Sequence, residues 1–204
     1  MTVYPLFENI DHKTFLIAGG GEVAQRKVDR LLSFTSKIIV VAEETSIRSV
    51  RVLRRKLTPD NLGEFLPMGD YVIAATDDAA LNEQIAHFCQ ENRIPVNVVD
   101  CPSLCSFIFP SVIKRGDLTI GISTGGTSPA YARELRMAIE KTLPPHIGGI
   151  LERMGKLRPA VPKEIRSQKD RKACYEEILS LLLETDNAAD DAEVQAVIDR
   201  YAKG

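Results

Sequence analysis

Three consecutive glycines, Gly19, Gly20 and Gly21, stand between an apolar run and a helix-like repeat, and they constrain the chain more than any other stretch. Ahead of them Phe15-Leu16-Ile17-Ala18 reads as a buried strand. Behind them Val23, Ala24, Val28, Leu31 and Leu32 recur at helical spacing. Gly19 and Gly21 with Ala24 fit G-x-G-x-x-A, the first turn of a dinucleotide-binding βαβ unit. There the first glycine permits a tight bend, the second leaves room for a pyrophosphate, and the alanine lets helix and strand pack closely. The helix N–H groups and positive dipole end, from Glu22 and Val23 onward, face the phosphates. Glycine turns are common, so the same residues also read as a strand–helix turn without a ligand.

The rest of the first half repeats the alternation. Strands are expected at 14–18, 37–42, 51–57, 70–75 and 95–99, with helices at 22–33, 59–65 and 78–92. Tyr4-Pro5-Leu6-Phe7 reads as an extended or edge segment. The class is α/β, a Rossmann-type doubly wound sheet. Ligands of such sheets sit beyond the carboxyl ends of the strands, so Gly19 to Gly21, Glu43, Thr76 and Asp100 are expected on one rim. Glu43 and Glu44 follow the second strand, where an acidic side chain holds the adenosine ribose. A carboxylate there repels a 2′-phosphate and favours NAD over NADP; it also reads as a solvated charge at a strand end. Only residues 43–50 separate the second and third strands, fewer than a parallel crossover usually needs. That leaves a single turn or loop, or a displaced third strand.

Asp100 is the sharpest candidate for chemistry. It follows a strand, with apolar Val98 and Val99 beside it, and a carboxylate so placed is a useful proton acceptor or donor. It also reads as a cap of the Cys-Pro-Ser turn that follows. Beyond it the pattern changes. Residues 106–109, 111–114 and 117–123 read as extended, with Arg115-Gly116 turning a hairpin. Thr124, Gly125, Gly126, Thr127 and Ser128 then open a helix to residue 142, with Ser128 at the N-cap and Pro129 at the first position. Two glycines and three hydroxyls at a helix start resemble an anion cradle for substrate carboxylates. Lys114, Arg115, Arg133, Arg136 and Lys141 lie near in sequence, partly offset by Glu134 and Glu140. An ordinary capped helix with salt bridges explains the same residues. The tail reads as helices at 147–157, 163–184 and 191–203, which divides the chain into 1–105, 106–143 and 144–204.

Composition excludes several classes. A net charge of −2 gives no basic excess for nucleic acid. No apolar run reaches the length of a membrane span, and the N-terminus lacks the basic and apolar regions of a signal peptide. Cys89, Cys101, Cys105 and Cys174 read as reduced cytoplasmic thiols, and with His12, His87 and His146 they do not make metal spacing. His87 is expected at the surface of its helix and His146 at a helix cap.

The motifs together resemble the precorrin-2 dehydrogenase / sirohydrochlorin ferrochelatase family of sirohaem synthesis, the type found in sirohaem synthases. The resemblance runs through Tyr4-Pro5-Leu6-Phe7, the segment from Ala18 to Lys27, Ala74-Ala75-Thr76-Asp77-Asp78, Asn97-Val98-Val99-Asp100, Ser106-Phe107-Ile108-Phe109-Pro110 and Ser123 to Pro129. It implies NAD-dependent oxidation of precorrin-2 to sirohydrochlorin and, in several members, insertion of ferrous iron. It implies a homodimer with interlocking central segments, here residues 106–143. It puts the key aspartate on Asp100, the cofactor contacts on the glycine turn with Glu22, Val23, Glu43 and Glu44, and the substrate on a tetrapyrrole with many carboxylates. Thr124 stands where the family often has serine, and the second-to-third strand connection is shorter than the family's. A reading of another class is a non-catalytic NAD-sensing module that oligomerises to regulate a partner; it has no need of Asp100 or the 124–128 cradle.

Overall fold

A computed structural model describes residues 2–202. The chain divides into two compact units, Met1–Phe109 and Pro110–Gly204.

The first unit runs β1 (Phe15–Ala18), α1 (Glu22–Leu32), β2 (Ile38–Ala42), β3 (Arg51–Arg54), α2 (Leu62–Phe65), β4 (Tyr71–Ala74), α3 (Ala79–Glu91) and β5 (Val96–Val98). The sheet order is β3-β2-β1-β4-β5, with every neighbouring pair parallel. β1 and β2 are apolar throughout because both sheet faces are covered. Leu16, Ala18, Val72, Ala74, Val96 and Val98 pack towards α2 and α3, with Phe65, Ile85 and Cys89. Phe15, Ile17, Val40 and Ile73 pack towards α1, with Ala24, Val28 and Leu31. Burial pushes the Cys89 thiol up to about 12.

The β2–β3 connection resolves as a loop, and β3 is not displaced. It pairs β2 in parallel, Ile39 opposite Arg51. Eight extended residues reach about 27 Å, ample to return along a strand of about 16 Å. The crossover helix is replaced by one side chain: Ile47 is 1% exposed and packs in the α1-side core. Its burial contributes roughly 2 kcal/mol. Thr45 fixes the loop, its hydroxyl donating to Gly20 O (2.8 Å) and accepting from Ile47 N–H (3.1 Å). Two expected extended segments are not strands. Residues 4–7 have no regular structure, with Tyr4, Leu6 and Phe7 exposed. Residues 106–109 lie along β5 without forming a strand: Ser106 N–H donates to Val96 O (2.8 Å) and Ser106 Oγ accepts from Val96 N–H (2.7 Å).

The second unit begins with an antiparallel hairpin, β6 (Ser111–Arg115) and β7 (Leu118–Ile122). Its turn is Gly116-Asp117 rather than Arg115-Gly116, because the bend needs a positive φ and Gly116 supplies 56°. α4 (Pro129–Thr142) packs on the hairpin. The tail forms α5 (Ile147–Leu157), α6 (Val161–Glu164), α7 (Gln168–Glu184) and α8 (Asp191–Ala202) around Ile150, Ile165, Ile178, Leu182 and Val197. The expected 163–184 helix is broken at Ser167, whose Oγ accepts from Asp170 N–H and starts α7 afresh. Lys203, the expected end of the last helix, lies outside the described residues. His87 is exposed, 3.7 Å from Glu83, and His146 stands at the α5 N-cap with Nε2 3.6 Å from Asp186. No helix among the described residues is long and apolar enough to cross a membrane.

Candidate functional site

The three glycines are not equivalent. Gly19 has φ 118°, and a Cβ there would stand 2.2 Å from Ala75 O. A Cβ on Gly20 would meet Glu44 O at 2.5 Å and the Thr45 Cβ at 2.6 Å. At Gly21 a Cβ would meet nothing within 4 Å. Thus Gly19 and Gly20 let β1, β2 and β4 close up, while Gly21 leaves space in front of α1. Gly21 is also the α1 N-cap, and among the described residues no side chain caps that helix. Its first-turn N–H groups therefore face outward unanswered by the protein's own side chains.

In front of them lies a cavity of about 820 Å³. Gly19, Gly20, Gly21, Glu22, Val23, Glu43, Glu44 and Thr76 all line it. The open face of Gly21, the uncapped helix start and the acids Glu43 and Glu44 after β2 fit a dinucleotide: pyrophosphate on the N–H groups, ribose at the carboxylates. Lys56, Leu57, Asp77, Asp78 and Leu81 also line the cavity and were not anticipated. Nor was Asn82, which builds the wall at Thr76. Asn82 is 7% exposed; its Oδ1 accepts from the Thr76 N–H (3.1 Å) and hydroxyl (2.7 Å), and its Nδ2 donates to Thr76 O (3.0 Å). One polar residue on the apolar face carrying Ile85, Ala86 and Cys89 was the signal available for it. Asp78 caps α3, accepting from Ala80 and Leu81 N–H.

Asp100 leaves the sheet at the same edge as the glycine turn. Val99 N–H donates to Ala74 O (3.0 Å), extending the parallel ladder past β5, while Ala75 N–H donates to Ala18 O (2.8 Å) just before Gly19. The apolar enclosure expected from Val98 and Val99 is absent. Val98 turns into the α3-side core, Val99 packs in the α1-side one, and Asp100 is exposed. Asp100 sits at φ 58°, a left-handed conformation that aspartate tolerates better than most residues. Beside it Cys105 Sγ accepts from Val98 N–H (3.1 Å) and Asn97 Nδ2 (3.5 Å). All four cysteines are free. No group of three His, Cys, Asp or Glu among the described residues could hold a metal ion.

Thr124 to Ser128 belong to the second unit. Gly125 and Gly126 have φ 62° and 85°. The hydroxyls largely serve the loop itself. Thr124 Oγ1 accepts from Ser128 N–H (3.1 Å), Thr127 Oγ1 donates to Thr124 O (2.7 Å), and Ser128 Oγ accepts from Tyr131 N–H (3.2 Å). Glu140 binds both Arg115 and Arg136, while Arg133 and Lys141 are exposed.

Comparison with known proteins agrees with this geometry. Residues 6–111 match the family model described as putative NAD(P)-binding, and residues 115–142 match that of the sirohaem biosynthesis protein central region. The siroheme synthase of Methylococcus capsulatus is 37% identical over 203 residues, covering 95% of this chain and 42% of that protein. That of Zymomonas mobilis is 36% identical, covering 95% and 42%. The chain thus spans about two fifths of the length of the curated relatives it matches. A solved precorrin-2 dehydrogenase, SirC, has the same fold with a TM-score of 0.70 at 20% identity, covering 99% of this chain and 100% of that one. With the putative NAD(P)-binding model over more than half of its length, the chain belongs to that family, and the sirohaem biosynthesis central region follows it, the pairing that its motifs resemble.

Proposed function

We propose that this chain oxidises precorrin-2 to sirohydrochlorin with NAD. The observation that carries the reading is that an uncapped helix start with an open glycine and a carboxylate in a left-handed turn leave one edge of one sheet. NAD, when bound, supplies the hydride acceptor. The chain's residues do the rest. The α1 N–H groups at Gly21, Glu22 and Val23 hold the pyrophosphate. Glu43 and Glu44 take the ribose hydroxyls, which favours NAD over NADP. Asp100 accepts the proton released as the macrocycle loses hydride; being exposed, it is open to a bulky substrate. The loop from Thr124 to Ser128 receives a carboxylate of the tetrapyrrole at Gly126 N–H, since the Gly125, Thr127 and Ser128 N–H groups are bonded within the loop. Residues 106–143 form the dimer contact of a homodimer, and the reaction runs in the cytoplasm, where four free thiols persist. The same carboxylate serves for ferrous iron insertion, by accepting pyrrole N–H protons from sirohydrochlorin.

The test is an absorbance assay with precorrin-2 and NAD, repeated with sirohydrochlorin and ferrous iron. Reduced nicotinamide formed one for one with sirohydrochlorin supports the dehydrogenase; sirohaem in the second arm adds the chelatase. NAD binding with no turnover in either arm would replace both with the sensing module.

A further inference from the structure

Lys27 is a charged side chain with no part in the site described above. It stands half-buried on α1, between the buried Ala24 and Val28. Its Nζ donates to Asn97 Oδ1 (3.3 Å) and lies 4.2 Å from the Phe109 ring centroid. Both partners are themselves fixed. Asn97 is 6% exposed, and its Nδ2 donates to Phe107 O at 3.1 Å. Phe109 ends an aromatic run in which Phe109–Phe107, Phe107–Tyr71 and Tyr71–Phe15 centroids lie 5.5, 5.4 and 4.9 Å apart. The ammonium therefore has a built seat on the β5 side of α1.

That seat offers no counter-ion. Among the described residues no carboxylate comes within ion-pair distance of Lys27. Burial does most to push its pKa below the usual lysine value and Arg30 adds to that, while Cys105 and Asp100 act in the opposite direction. Holding a cation half out of water without an anion is unfavourable. Methionine would cover Phe109 and fill the space without that cost. The Asn97 side-chain carbonyl and the Phe109 ring give the ammonium a seat but no full negative charge, so an anion carried by a ligand completes it.

We infer that Lys27 is a substrate-binding residue: its ammonium, seated between Asn97 and Phe109, receives a carboxylate of the polyacidic tetrapyrrole and holds the ring edge towards Asp100, three residues beyond Asn97 along the chain. This rests on the functional reading above. A charge-assisted hydrogen bond to a fixed lysine also selects acidic macrocycles over neutral ones.

The experiment is a titration of the full chain with sirohydrochlorin, without NAD, following tetrapyrrole absorbance. It compares wild type, K27M and K27R, with NAD affinity measured separately. K27M should weaken sirohydrochlorin about tenfold or more, K27R should recover most of that, and NAD affinity should stay unchanged. A fully esterified sirohydrochlorin should bind wild type more weakly than the acid and show little difference between wild type and K27M. The inference is overturned if K27M binds the acid as wild type does, if K27R loses as much as K27M, or if wild type does not distinguish acid from ester. Wild type that binds no sirohydrochlorin would take down the functional reading along with it; wild type and K27M binding alike would remove Lys27 alone.

Discussion

The chain contains two strand–glycine–helix turns, and they are finished differently. At Gly19 to Gly21 the helix start has no side-chain cap and the third glycine faces open space. At Thr124 to Ser128 the helix start is capped by Ser128, and the threonine hydroxyls close the loop on itself. The same local motif thus leaves helix N–H groups open in one unit, and gives a mostly self-satisfied turn in the other. Glycine spacing alone does not separate them. What separates them is whether a hydroxyl stands at the N-cap. Any carboxylate held at the second turn must use backbone N–H groups that the hydroxyls leave over, a weaker arrangement than at the first.

The contrast can be broken at four places. The largest effect is expected for Gly19→Ala. Its Cβ would fall 2.2 Å from Ala75 O at φ 118°, so a loss of about 3–5 kcal/mol and a Tm fall of about 10 °C are expected in thermal unfolding. Gly21→Ala is the informative neighbour. Its Cβ enters empty space at an ordinary φ of −80°, so stability should change by less than about 0.5 kcal/mol while NAD affinity falls at least about tenfold by calorimetry. A Gly21→Ala protein that binds NAD normally would erase the distinction between the turns. Ser128→Ala should cost about 1 kcal/mol, seen as a Tm loss of about 3 °C, with NAD affinity unaltered. The smallest effect is at the ribose end. Glu43→Ala should narrow the preference for NAD over NADP by roughly fivefold, measured as a ratio of Kd values. Lys56 lines the same cavity, so a wild type that already prefers NADP would mean the lysine outweighs Glu43.

Much of the first unit was legible because its strands are buried on both faces. Ile38 to Ala42 is an unbroken apolar run, and only a covered sheet accommodates one. Asp78, Ser128 and Pro129 marked their helix starts for local reasons that act within a turn. That Gly19, Glu43, Thr76 and Asp100 follow strand ends on one side of the sheet came from parallel topology; the first three line the cavity, and Asp100 is not among its lining residues. Contacts decided by distant partners were not legible. Ile47 replacing a helix carries no periodic signal. Asn97 meets Lys27 across 70 residues. Asn82 sits against Thr76 only because α3 folds back over β4. The exposure of Asp100 depends on Val98 and Val99 turning to opposite faces, as alternation along a strand implies.

If, as proposed, a carboxylate at Asp100 handles the proton while the glycine turn holds NAD, a single substitution separates the two. Asp100→Asn is the sharpest probe, because asparagine keeps the shape and tolerates the left-handed backbone. Stopped-flow absorbance at the reduced-nicotinamide band, on mixing the NAD-loaded protein with precorrin-2, should show a rate loss of at least about a hundredfold in that variant, with NAD affinity as in wild type. Reduction at the wild-type rate in Asp100→Asn would contradict the account.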